Sequence, residues 1–217
     1  MPSGWESDVV LVEYLIARAG PPPRRGLAYD YVLAGDGVYL VADNRYLEVR
    51  VPVAPARVRG LPAIYPSFSL RSGRLPQALW EQIVAFVRTW SQSGCEVLLA
   101  VTFHEASGYQ LVLPQQVVGP AHVCYQPLAD AVLEIHSHDQ SPARFSPTDD
   151  ADEQGLSLYG VLGRLGSDRP EVALRVGAYG YFLPVPWEAV FAGEPGGFRD
   201  AHFDGSGDGP PDDGLPH

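Results

Sequence analysis

The stretch LEIHSHDQSPARFSPTDDADEQGLSLYGVLGRL, Leu133–Leu165, decides how the fold is read. Side chains two apart on a strand share a face, so a strand ending in LEIHSH turns His136 and His138 toward one point. SPTD carries the signals of a helix start. Ser146 suits the cap, Pro147 the first helical position, and Asp149 the first turn, where the helix dipole favours an acid. Beyond it, Leu156, Tyr159, Leu162 and Leu165 recur three apart, which predicts that the helix runs on through this span. Strand, then helix, then strand reads as an α/β architecture.

The flanking sequence extends that reading. LPQALWEQIVAFVRTW places Leu79, Ile83, Phe86, Val87 and Trp90 on one side of a helix, with Pro76 just ahead and SQSG ending it. CEVLLAVTF and YQLVLPQQVV read as strands, and VALRVGAYGYFLPV returns to strand. Upstream, GVYLVADNRYLEVRV alternates around Asp43 and Asn44 in the pattern of a hairpin. The organisation expected is a β-rich N-terminal module (1–54), a proline- and glycine-punctuated linker (55–75), a main domain (76–192) and a disordered acidic tail (193–217).

Bulk properties exclude some partners. At 217 residues with 46% hydrophobic content the chain can bury a real core. A net charge of -11 argues against nucleic acid or an anionic membrane, since both demand a basic face. All 15 basic side chains are arginine. The N-terminal apolar run lacks a basic flank and is broken by Glu13, unlike a signal peptide or a membrane span. Cys95 and Cys124 are far apart and form no CxxC, so they are expected to be reduced core residues of a cytoplasmic protein.

Two imidazoles and a carboxylate from a second element make the ligand set of a catalytic Zn²⁺ site that keeps one corner for water. Taken alone, an HxH pair reads first as two solvated or core-edge residues at a strand end. The full string is H-x-H-x7-S-x2-D across His136, His138, Ser146 and Asp149. It resembles the JAMM signature of the JAB/MPN metalloproteases, zinc-dependent isopeptidases that remove ubiquitin and its relatives. The resemblance spans roughly 75–191 and implies an MPN/JAB1-like, cytidine-deaminase-like fold, a mixed sheet sandwiched by helices. It implies His136, His138 and Asp149 as zinc ligands, and Ser146 as the donor to the substrate carbonyl. The general base that the family places after a helix, at the opening of a strand, falls on Glu96, with Glu105 and Glu134 as rivals. The chain departs from the family in having Asp139 where proline usually follows the second histidine. It also has VLLAV where a glycine usually follows the catalytic glutamate.

The wording is most similar to the bacterial branch encoded beside ubiquitin-like proteins and homologues of activating and conjugating enzymes, as in plasmid-associated PRTRC systems and antiviral conjugation operons. The implied activity is cleavage after the C-terminal tail of a ubiquitin-like protein, from a conjugate or a precursor. Alternatives within the resemblance are a protease that trims sulfur-carrier proteins and a non-catalytic MPN scaffold. An unrelated metal-dependent hydrolase is a further one.

Overall fold

Alternating apolar residues and short turns carry the first third of the chain into strands. The computed structural model describes residues 10–91, 95–119, 122–125 and 128–203. In chain order the first elements are β1 (Val12–Ile16), β2 (Tyr29–Leu33), β3 (Gly37–Asp43), β4 (Leu47–Pro55) and β5 (Ser67–Leu70). They form one sheet in the order β1-β2-β3-β4-β5, with β1 parallel to β2 and the other pairs antiparallel. The hairpin expected around Asp43 and Asn44 is present as β3–β4. The Asn44 side chain accepts from the amides of Tyr46 at 2.8 Å and Leu47 at 3.0 Å and so closes the turn. β5 lies inside the span expected to be a linker.

Next come α1 (Gln77–Ser91), β6 (Leu98–His104), β7 (Gly108–Val112), β8 (Gln116–Gly119), β9 (His122–Tyr125) and β10 (Ala131–His138). The chain continues with α2 (Pro147–Asp152), β11 (Leu156–Gly163), β12 (Glu171–Ala178), β13 (Tyr181–Pro184), α3 (Trp187–Val190) and β14 (Arg199–Asp200). A second sheet runs β13-β12-β11-β10-β6-β7, with β14 beside β12, while β8 and β9 pair with each other. β10 and β11 are parallel, and α2 lies in the connection between them.

This architecture corrects the expectation of a helix-sandwiched α/β fold of MPN type. Among the described residues strand accounts for 42% and helix for 14%, so two mixed sheets and not helical layers enclose the core. The misreading sits at Leu156–Leu165. The expected helix stops at Asp152, and Leu156–Gly163 is the strand β11, flanked by β10 and β12. A strand covered on both sides loses its alternation, and a nearly continuous apolar run offers helical spacing by default. Its glycines fit the strand. A Cβ on Gly160 would meet Ile135 Cγ1 and Leu174 Cδ2, each at 2.9 Å.

One hydrophobic core joins the two sheets. Leu40, Leu47, Val49 and Val51 of the first pack with Leu133, Ile135, Leu158 and Leu174 of the second, and α1 adds Leu79, Trp80, Ile83 and Val87. Trp80 meets Trp187, Phe191 and Phe198 with ring centroids 5.0 to 5.8 Å apart, which closes one end of α1. Phe198 and β14 belong to the segment expected as a disordered tail; Phe198 is buried and β14 adds to the sheet. Residues 204–217 of that tail lie outside the described residues. Among the described residues no helix is long and apolar enough to cross a membrane.

Candidate metal centre

The second sheet turns a polar stripe away from this core. Along β10, Leu133, Ile135 and Ser137 are buried on the core side, and Glu134, His136 and His138 stand half-buried on the other. The ladder carries that face across the neighbouring strands in rows. Glu134 lies beside Tyr159, which lies beside Arg175; His136 beside Val161 and Ala173; His138 beside Gly163 and Glu171. A loop (139–146) and α2 cross over this face.

Sequence expectation and local structure agree at the helix start. Ser146 is the cap of α2 in a reciprocal capping box: its hydroxyl accepts from the Asp149 amide at 3.3 Å, and Asp149 Oδ2 accepts from the Ser146 amide at 2.5 Å. That leaves Asp149 Oδ1 facing the histidines, 3.7 Å from His136 Nε2. His136 Nε2 and His138 Nε2 are 3.2 Å apart. Three donors, one from each residue, thus lie within 4.8 Å of one another. Tetrahedral ligation at zinc–nitrogen distances sets donor atoms about 3.3 Å apart, which the two measured separations bracket.

Donor chemistry fits a cation as well as the spacing does. His138 Nδ1 lies 3.2 Å from the Pro142 carbonyl. A carbonyl only accepts, so Nδ1 carries the proton and the Nε2 lone pair points at the shared centre. Burial pushes the His136 imidazole down to about 4; Asp149 opposes the shift, while His138 and Arg175 add to it. His136 is therefore neutral at pH 7, the form that ligates a metal.

The loop and helix are held by groups that sequence reading passed over. Gly163 lets the loop lie against β11, since a Cβ there would stand 2.2 Å from the Ala143 nitrogen. The Glu171 carboxylate accepts from the Ala143 amide at 3.0 Å and pairs with Arg164 at 2.8 Å and with Arg199. Burial alone would raise this carboxyl, but hydrogen bonds from Arg199 and Ala143 and the charges of Arg199 and Arg164 hold it below its ordinary value. On the helix side, Arg175 binds Glu153 through Nε at 2.8 Å and Nη2 at 2.6 Å, and Asp150 through Nη1 at 2.6 Å. Burial pushes the Glu153 carboxyl up, and the guanidinium pulls it back. One signal was available in sequence: Arg175 is the only charge inside the apolar run VALRVGAYG.

The base candidates separate. Glu105 is exposed in the turn between β6 and β7, at the far end of β6, roughly 23 Å along the strand from Leu98. Glu134 shares the histidine face, and its charge acts on Tyr159 and Glu153. Glu96 is half-buried just ahead of β6. His136 pairs with Leu98, and the Ser137 amide donates to the Val97 carbonyl at 3.0 Å. Glu96 directly precedes Val97 and so lies at the histidine end of the sheet. Cys95 is a free, half-buried thiol; the Cys124 side chain lies outside the described residues.

No protein-family model matches the chain, and no curated protein matches it.

Proposed function

We propose that the chain is a zinc-dependent peptidase of the JAMM type, acting after the C-terminal tail of a ubiquitin-like protein in the bacterial cytoplasm. The observation that carries this reading is the convergence of His136, His138 and Asp149 from two elements on one point. The order and spacing of these residues with Ser146 support the reaction class. Homologues of activating and conjugating enzymes would be its partners.

His136, His138 and Asp149 would hold the metal. When bound, zinc supplies Lewis acidity to a water and to the scissile carbonyl. Glu96 accepts the proton of the attacking water and delivers it to the leaving amine. Ser146 accepts from the Asp149 amide, and its own O–H stays available to donate to the carbonyl oxygen as charge develops there. The Pro142 carbonyl keeps His138 in the ligating tautomer.

The test joins zinc content to cleavage of ubiquitin-like fusions, both linear and isopeptide-linked. Glu96→Gln should bind zinc with the wild-type stoichiometry and lose cleavage by about 100-fold or more, while Asp149→Ala should lose cleavage and keep only weak zinc binding through His136 and His138. Full turnover in Glu96→Gln would remove Glu96 from the mechanism. Absence of zinc from the wild-type protein would remove the hydrolase reading altogether.

A further inference from the structure

α2 is a helix of six residues with no buried side chain. A helix this short has no stability of its own in water, and elsewhere in the molecule helices are fixed by an apolar face. α2 has none to offer, yet Asp149 must be held still to complete a metal site. Its cap, Ser146, lies in the same segment and cannot tie it to the sheet.

The tie is Arg175. Its side chain rises from β12 on the face that carries Glu134 and the histidines. The guanidinium lies over the rings of Phe145, 3.8 Å from its centroid, and Phe182, 3.7 Å from its centroid. Two of its nitrogens reach Glu153 and the third reaches Asp150. Asp150 follows Asp149 in the chain, and the Glu153 amide donates to the Asp149 carbonyl at 2.9 Å. Arg175 and Glu153 are each 6% exposed, so water does not loosen the pair. Arginine suits this place because only a planar fork can lie flat against rings and bind two carboxylates at once.

We propose that Arg175 is the positioning residue of the metal centre: clamped by Phe145 and Phe182, it grips Asp150 and Glu153 and so holds the Asp149 carboxylate over His136 and His138. It touches neither metal nor substrate. The inference rests on the metal-centre reading above and adds a residue that the H-x-H-x7-S-x2-D string does not contain.

The full chain is tested as Arg175→Met, which keeps a long apolar stem between the rings, and as Arg175→Lys, which keeps charge without the fork. Affinity for Zn²⁺ is read by competition with a chromophoric chelator, and the ligand field by the visible spectrum of the Co²⁺ form. Both variants should bind Zn²⁺ about 10- to 100-fold more weakly, with the Co²⁺ spectrum moving toward that of Asp149→Ala. In the Asp149→Ala background, Arg175→Met should cause no further loss, because the residue through which it acts is gone. Should Arg175→Met fail to fold, Asp150→Asn with Glu153→Gln cuts the same ties from the helix side. This pair should show the same loss and the same lack of additivity. Unchanged affinity in the folded variants, or an equal loss with and without Asp149, would overturn the clamp. A wild-type protein that binds neither Zn²⁺ nor Co²⁺ would instead overturn the metal-centre reading on which it rests.

Discussion

On one face of β10, Leu133 and Ile135 are fully buried against the first sheet and α1; on the other, Glu134, His136 and His138 stand half-buried beneath a loop and a six-residue helix. The same backbone serves both faces, but the interactions differ in kind. The core face is held mainly by close packing of apolar side chains, so its stability scales with buried area. The polar face is held by a few directional ties from Glu171, Arg175, the Ser146 cap and the Pro142 carbonyl. Substitutions on the first face should change folding and leave the ligands in place, and those on the second should do the reverse.

The sharpest form of this contrast is a pair of truncations on opposite faces of β10. Ile135→Ala removes a fully buried side chain and should cost about 2–5 kcal/mol in denaturant unfolding. His138→Ala should cost less than about 1 kcal/mol while Zn²⁺ binding is lost. Equal destabilisation by the two would mean that the histidine face is an ordinary part of the core, and the comparison would break.

Two glycines of β11 repeat the contrast more gently. Gly160 looks to the core beside Leu158 and Leu162, and a Cβ there meets the side chains of Ile135 and Leu174. Gly163 looks to the site, and a Cβ there meets backbone atoms of Ser141, Pro142 and Ala143. Gly160→Ala should overpack the core by about 1–3 kcal/mol and leave metal affinity unchanged. Gly163→Ala should lift the loop whose Pro142 carbonyl fixes His138, and weaken Zn²⁺ binding about tenfold or more. Calorimetric melts beside chelator titrations separate the two effects. A Gly163→Ala protein with wild-type affinity would show that the loop does not position the ligand.

These faces also explain what is legible in the sequence. Local chemistry was legible: the His136–His138 spacing needed only a strand, and Ser146, Pro147 and Asp149 needed only the first turn of a helix. Both are present, and together they bring the three donors to one place. What failed was the inference from Leu156, Tyr159, Leu162 and Leu165 to a long helix, and with it the helix-sandwiched fold. Periodicity reports one covered face, whereas β11 has neighbours above and below, so its pattern carries no information about period. The role of Arg175 was hidden for another reason. Its partners at Asp150 and Glu153 are more than twenty residues away, and only the ladder of β10, β11 and β12 brings them together.

The smallest expected effect concerns the loop side of the polar face and is read through pH. The folded-state value of Glu171 lies below its ordinary value of 4.5, so the unfolded chain binds more protons in the interval between the two. Its contribution to stability is therefore complete above that ordinary value and is lost as pH falls through the folded one. Glu171→Gln lacks the titrating group but keeps the shape. The wild-type advantage over the variant should be about 1–3 kcal/mol at pH 7 and should close as the solution is acidified below the carboxylate range. Partial exposure of Arg164 and Arg199 places it toward the lower end of that range. Urea unfolding of both proteins at several pH values measures it. A difference that stays constant from neutral pH into acid would mean that the Ala143 loop is held by shape alone, and that the polar face is less unlike the core face than its charges suggest.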